Sequence, residues 1–122
     1  MNALRRIHRS LVPGGTLVDV HPSEPALRAE AGDRVLGSFD GSQFFADVAT
    51  AAGHIDGTGL WEREAEARFD VIQRCESGEE ALEYVLGYGG YTVPDELERS
   101  VLAAASRIDV REFAVVRRFR AR

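Results

Sequence analysis

Two side chains that can exchange protons, Asp19 and His21, stand two residues apart in this sequence. They follow the start of the stretch 16–20, TLVDV, whose β-branched and apolar residues predict a buried strand. Alternate residues of a strand point to the same side, so Asp19 and His21 face one way, beside Leu17. They lie at or near the carboxyl end of this strand, where open α/β sheets bind ligands. Asp19 and His21 are therefore the candidate catalytic residues.

A structural role is the alternative for this pair. Asp19 would then make a structural hydrogen bond, and His21 would end the strand at the surface. We favour the structural interpretation, because one strand rarely forms a site by itself.

A second candidate site is the tyrosine loop, YVLGYGGY at 84–91, in which three tyrosines surround three glycines. Aromatic side chains on a mobile loop can close over a small-molecule pocket. The alternative is a connector between helices whose tyrosines cover the edge of the core. The candidate substrate-binding residues are His21, Tyr88 and Tyr91.

Cysteine and histidine chemistry is sparse in this chain. Cys75 is the single cysteine, which excludes an intrachain disulfide and a cysteine-based metal cluster. It shares a predicted strand face with Phe69 and Val71, which indicates core packing, although a helix predicted to begin two residues later leaves thiol activation open. The three histidines are far apart in the sequence, so we expect no metal site.

Composition bounds the class of protein. The chain has 122 residues, of which 44% are hydrophobic, enough for a single domain over residues 1–122. The net charge of −5 argues against nucleic-acid binding, which needs clustered positive charge. No run approaches the roughly 18 apolar residues of a membrane span, and the N-terminus lacks the apolar core of a signal peptide. We expect a cytoplasmic protein without membrane contact.

Periodicity predicts alternating helices and strands, an α/β protein in which helices cover a sheet. The sheet should contain the strand 16–20 in its interior, buried on both faces. In the first half, the predicted elements are a helix over 2–11, the strand 16–20, an irregular stretch over 21–40 with a short extended piece at 34–39, and a helix from the Asp40 cap to Gly53. In the second half, they are a strand or bent hairpin over 60–75, two helices capped by Ser77 and Thr92, and a last strand over 112–121.

The adjacent glycines of "SLVPGGTLVDVHP", residues 10–22, raise the question of a phosphate-binding loop. Such a loop follows a strand and opens a helix, whose N–H groups face the anion. Here a helix precedes the glycines and a strand follows them, so helix carbonyl groups face the loop. The order predicts a plain connector.

Three segments together resemble class I S-adenosylmethionine-dependent methyltransferases. "LRRIHRSLVPGGTLVDV", 4–20, resembles the helix, PGG turn and apolar strand that enter the sheet as the fifth strand of that family. "RFDVIQRCESGEEALEYV", 68–85, resembles its sixth strand and the following helix. "EFAVVRRFRAR", 112–122, resembles its closing antiparallel strand. The "LVPGG" turn with its flanks is the most specific of these motifs.

The resemblance implies a partial Rossmann-like methyltransferase sheet of three or four strands, mixed, with the last strand antiparallel, and three to four helices. The family's acidic glycine-rich loop, its ribose-binding acidic residue and the strand beside the adenine have no counterpart in this sequence. The resemblance therefore covers the C-terminal half and implies no cofactor for the chain alone, and S-adenosylmethionine if an N-terminal half completes it. His21 would border the methyl-acceptor pocket, as a general base or a substrate contact.

These observations lead to three functional hypotheses. The first is a methyltransferase-like domain without catalysis of its own, which self-associates or pairs with a second chain through the open edge of strand 16–20. The second is the substrate-side half of a small-molecule methyltransferase, either truncated or built from two chains. The third is a small-molecule binding module that uses the pocket between the tyrosine loop and the sheet.

Overall fold

A computed structural model describes residues 2–122 of the chain. Within these residues it contains four helices and four strands, which confirms the expected α/β class and the expected numbers of elements. The elements are α1 (Asn2–Ser10), β1 (Thr16–Ala31), β2 (Arg34–Asp40), α2 (Ser42–Gly57), β3 (Trp61–Cys75), α3 (Gly78–Gly87), α4 (Asp95–Ala103) and β4 (Ile108–Ala121).

The four strands form one sheet in the order β2-β1-β4-β3. Each pair of neighbours in this sheet is antiparallel, so the expected mixed sheet is wrong. The physical reason is the place of the last strand: β4 lies between β1 and β3 and runs opposite to both. β1 and β3 consequently run in the same direction without being neighbours.

The stretch predicted to be irregular instead continues β1 and forms a hairpin with β2. β1 pairs with β2 from Ala26 to Ala31, and the turn between them contains Gly32 at φ +61°. Pro22 ends the first run of pairing with β4, and pairing resumes at Leu27. Prolines interrupt a ladder because they lack an N–H donor, but neighbouring strands hold the rest of the segment extended.

The first part of β1 has one neighbouring strand. Thr16–Pro22 pairs with β4, whereas no strand of the described chain pairs with its other side. The carbonyl of Gly15 accepts a hydrogen bond of 2.8 Å from the N–H of Ala121 on β4. In an antiparallel strand the N–H and C=O groups of successive residues point alternately to the two neighbouring sides. The N–H and C=O groups of Val18 and Val20 therefore point to the open edge. Their side chains are each 57% exposed, so the expected burial on both faces is wrong.

Two pairs of helices cover opposite faces of the sheet at opposite ends. On the first face, which we call the Phe119 face, α1 and α2 bring Leu4 and Ile55 against Trp61 and Phe119. The other face, the Ile108 face, receives the packing of α3 and α4. The cluster there includes Leu27, Phe39, Val85, Leu97, Val101 and Ile108. Each face of the sheet therefore has one half that helices cover and one half that no helix covers.

The PGG segment is a connector, as predicted. Helix α1 ends at Ser10, and Gly14 takes a φ of +81°, which L residues rarely adopt. The N–H of Gly15 donates to the carbonyl of Val12 at 2.8 Å. That N–H is therefore already used within the turn.

Helix ends follow local chemistry where a side chain is free to cap. The Ser77 hydroxyl accepts from the N–H of Glu80 at 3.2 Å, which confirms the predicted Ser77 cap, and the Glu80 carboxylate accepts from the N–H of Glu76, one residue before that cap. Thr92 does not cap α4, because its backbone instead bridges to Asp40. None of the helices in residues 2–122 combines the length and apolar character that a membrane span needs.

Candidate functional site

The structure brings Asp19 and His21 into contact. Asp19 Oδ2 and His21 Nδ1 are 2.8 Å apart on the Phe119 face, and the two side chains are 19% and 10% exposed. Their partners on β4 are Arg117 and Val115 respectively. Within residues 2–122 the other imidazole nitrogen, Nε2, makes no hydrogen bond. The carboxylate holds one nitrogen of the ring and leaves the other available for proton transfer.

A cavity of about 300 Å³ lies between α2 and the Phe119 face beside this pair. Its floor is the sheet and its wall is one side of the helix. The lining residues are His21, Pro22, Ser23, Phe45, Ala49, Ala52, Gly53, Asp56, Arg63, Arg68, Val115 and Arg117. The small residues Ala49, Ala52 and Gly53 of α2 leave the space between the helix and the sheet unfilled here.

Three arginines and one carboxylate, Asp56, line this His21 cavity. Arg63 pairs with Asp56 at 2.6 Å, and Arg117 pairs with Glu66 at 3.1 Å. Arg68 forms no ion pair with any described residue. An imidazole beside guanidinium groups suits a polar ligand that carries negative charge, and the imidazole can accept or donate a proton there.

The tyrosine loop lies against the opposite face of the sheet. Leu27 and Glu112, which pair with each other and point to the Ile108 face, form the floor of a second cavity of about 100 Å³. Its lining residues are Pro22, Leu27, Phe44, Tyr88, Tyr91 and Glu112. We call it the tyrosine pocket. The structure thus separates Tyr88 and Tyr91 from His21, and these three residues do not form one substrate site.

Backbone pairing fixes the tyrosine loop beside the start of α2. Asp40 and Thr92 exchange two backbone hydrogen bonds of 3.0 and 2.8 Å. The ring of Tyr91 therefore reaches Phe44, at 5.7 Å between centroids. Gly90 takes a φ of +82°, and a Cβ there would press against Phe44, so glycine permits the close approach of loop and helix.

Burial shifts the titration of the groups around the tyrosine pocket. Desolvation raises the pKa of Glu112 above its usual value of 4.5, because the charged carboxylate loses water. Desolvation also raises the pKa of Tyr91. Glu30 shows the opposite shift: its hydrogen bond to Arg111 is the main cause that lowers the pKa of this carboxyl.

Cys75 is a core residue rather than a nucleophile. Its side chain is 1% exposed and packs in the cluster with Val85 and Ile108. Burial, followed by the charges of Glu80 and Asp109, raises the pKa of the thiol. A thiol in this state is poorly ionised and inert. The helix start at Ser77 does not activate it.

Several residues that line the two cavities were not among the sequence candidates. The strand register decides which arginines reach the Phe119 face, and it cannot be predicted from one sequence. This applies to Arg63, Arg68 and Arg117. Phe44 lies in the helix predicted from Asp40 to Gly53, but its contact with Tyr91 was not predicted. Glu112 carried one signal, an acidic residue opening an apolar strand.

Comparisons with known proteins add no relative. No protein-family model, no curated protein and no solved structure matches the chain. In the part of the chain that the structure describes, no group of three or more histidine, cysteine, aspartate or glutamate side chains is arranged to hold a metal ion.

Proposed function

We propose that this chain is a methyltransferase-like C-terminal domain without catalysis of its own, and that it associates through the open edge of strand 16–20. The partner strand comes from another copy or from a second chain that supplies the rest of the sheet. The function is therefore assembly, by addition of a strand to an existing sheet.

The observation that carries this proposal is the unpaired side of Thr16–Val20. In the described residues, β2 reaches β1 from Ala26 onward and leaves the preceding residues with one neighbour, β4. Val18 and Val20 consequently present their backbone donors and acceptors outward. Unpaired, β-branched edge strands are templates for pairing with another chain.

The side chains along the same edge support the proposal. Val18 and Val20 begin a bare apolar patch that continues across the Ile108 face of β4 and β3. The patch consists of Val18, Val20, Ala65, Ala67, Phe69, Val71 and Val116, and the exposed Arg118 of β4 lies between Val18 and Ala65. Of these, Phe69 and Val71 are 40% and 43% exposed. Val20, Val116 and Ala67 pair across the three strands and connect the apolar residues, and an exposed apolar surface of this kind favours interaction with a partner.

The order of the strands is compatible with the methyltransferase resemblance. The resemblance implies a closing strand that is antiparallel to its neighbours, and β4 is antiparallel to both β1 and β3. In a complete Rossmann-like sheet, a further strand would pair with the apolar strand that follows the PGG turn. That further strand would lie along the open edge of Thr16–Val20.

Sedimentation of a matched pair of variants tests the proposal. Val18→Pro removes an N–H that points to the open edge and leaves the ladder between β1 and β4 intact. Val18→Thr keeps both the N–H and the β-branched shape. We expect the natural chain and Val18→Thr to form oligomers and Val18→Pro to sediment as a folded monomer. A natural chain that stays monomeric at high concentration would contradict the proposal.

A second candidate function is the substrate-side half of an S-adenosylmethionine-dependent small-molecule methyltransferase. The contact between Asp19 and His21 beside the His21 cavity favours it, because this arrangement can deprotonate a methyl acceptor. The chain alone should then give no heat in calorimetry with S-adenosylmethionine, and addition of a chain that supplies the cofactor-binding half should restore binding. Tight binding by the isolated chain would contradict both functions.

A further inference from the structure

The tyrosine pocket combines aromatic walls with a single acidic group. Phe44 and Tyr91 lie 5.7 Å apart between centroids with their planes at 48°, so they form two sides of a corner. Tyr88 closes a third side and is held by a hydrogen bond of 2.8 Å between its hydroxyl and that of Tyr84. Pro22 and Leu27 supply the remaining apolar wall.

Glu112 lies at the floor of this pocket without a counterion. Its carboxylate forms no ion pair and no hydrogen bond with any side chain of residues 2–122. Glu30, on the same sheet, is by contrast held by Arg28 at 2.7 Å and Arg111 at 3.1 Å. A half-buried carboxylate is costly unless a cation compensates it.

Aromatic faces attract the same kind of ligand as the carboxylate does. The face of an aromatic ring is electronegative, and it binds cations from which water has been removed. A hard metal ion does not suit this pocket, because such ions require several oxygen ligands and the walls offer carbon. An organic ammonium ion suits it, because its N-alkyl groups pack against carbon while its charge faces both rings and carboxylate.

We propose that the tyrosine pocket, built by Phe44, Tyr88, Tyr91 and Glu112, binds a small alkylated ammonium group. The cavity of about 100 Å³ admits a headgroup of a few methyl groups around one nitrogen. Glu112 supplies the counter-charge and the three rings supply cation–π contacts. This binding site is independent of the open strand edge and of methyl transfer.

An NMR titration with two ligands of equal shape tests the charge requirement. The first ligand is choline, and the second is its uncharged analogue, in which a tert-butyl group replaces the trimethylammonium group. We expect choline to shift the signals of the tyrosine loop and to bind about tenfold more tightly than the uncharged analogue. Equal affinities, or no binding of choline, would overturn the proposal.

Three variants locate the site. Glu112→Gln keeps the shape of the side chain and removes its charge, so choline affinity should fall several-fold toward that of the uncharged analogue, and the cation–π contacts of the rings account for the remaining difference. Tyr88→Leu removes one ring at a position that is 59% exposed, and it should weaken choline binding several-fold. Glu66→Gln removes an equal charge from the neighbouring strand and should leave binding unchanged. If Glu66→Gln weakens binding as much as Glu112→Gln does, the attraction is a general charge effect and the proposal is wrong.

Discussion

At the scale of single residues, half-buried polar groups in this protein differ in whether the chain itself compensates them. Asp19 and His21 compensate one another at 2.8 Å, and Glu30 is held between two arginines. Glu112 is compensated by no described residue. The first two arrangements stabilise the fold, whereas the third costs stability and leaves a group that a ligand can satisfy.

The contact between Asp19 and His21 predicts an effect on stability. Asp19→Asn replaces a charge-assisted hydrogen bond by a neutral one at a largely buried site, so unfolding should become easier by about 1 kcal/mol. Denaturant unfolding measures this difference.

Asp56→Asn is the matched control for this variant. It breaks an ion pair with Arg63 whose side chains are 42% and 46% exposed, and such pairs contribute about 0.5 kcal/mol or less. Equal decreases in the free energy of unfolding of the two variants would show that the hydrogen bond at Asp19 contributes no more than an exposed ion pair.

Glu112 predicts a dependence of stability on pH. Burial raises the pKa of the folded-state carboxyl above the unfolded value near 4.5, so the folded state binds this proton more tightly. Its contribution to stability is therefore fully present below pH 4.5 and is lost as pH rises through the raised pKa. Glu112→Gln cannot ionise, so it should be more stable than the natural chain at pH 7 and should lose that advantage in acid.

Unfolding curves of both chains across this pH range measure the effect. A natural chain whose stability parallels that of Glu112→Gln at every pH would contradict the burial argument.

At the scale of elements, the contact between α3 and α4 depends on a residue without a side chain. Gly78 begins α3, and a Cβ at this position would overlap the carbonyl oxygen of Val101 on α4. Gly87 ends the same helix, and a Cβ there would meet nothing within 4 Å. The two glycines at the ends of one helix thus differ in the space that surrounds them.

Alanine substitution at the two glycines should separate these effects. Gly78→Ala should destabilise the protein by about 2 kcal/mol, because α4 must move to admit the methyl group. Gly87→Ala should be neutral or slightly stabilising, since alanine favours helix. Thermal unfolding of both variants measures the difference. A Gly78→Ala protein as stable as Gly87→Ala would show that α3 and α4 do not pack as closely as the structure has them.

The elements also show what one sequence can predict. The Ser77 cap is a local hydrogen-bond pattern, and it was predicted correctly with its helix. The continuation of β1 beyond Pro22 was missed, because pairing with β2 and β4 overrides the local signals of two prolines. The shared side of Asp19 and His21 followed from strand periodicity, whereas the arginines and Glu112 could not be assigned to cavities without the strand register.

At the scale of the whole molecule, the two bare halves of the sheet are chemically different. On the Phe119 face the bare half carries linked charges, including Arg111 between Glu30 and Asp70. On the Ile108 face the bare half carries the apolar patch, and the ion-paired Arg118 and Arg120 lie toward its end. Water hydrates the charged surface. A partner would bury the apolar patch and pair with the backbone groups of the open edge beside it.

The most direct test of edge association is hydrogen exchange at single amides of β1. In dilute monomer, the amides of Leu17 and Asp19 should be protected by β4, while those of Val18 and Val20 exchange rapidly. At concentrations where the chain associates, Val18 and Val20 should gain protection. Association that leaves the amides of Val18 and Val20 as exchangeable as in the monomer would contradict the account.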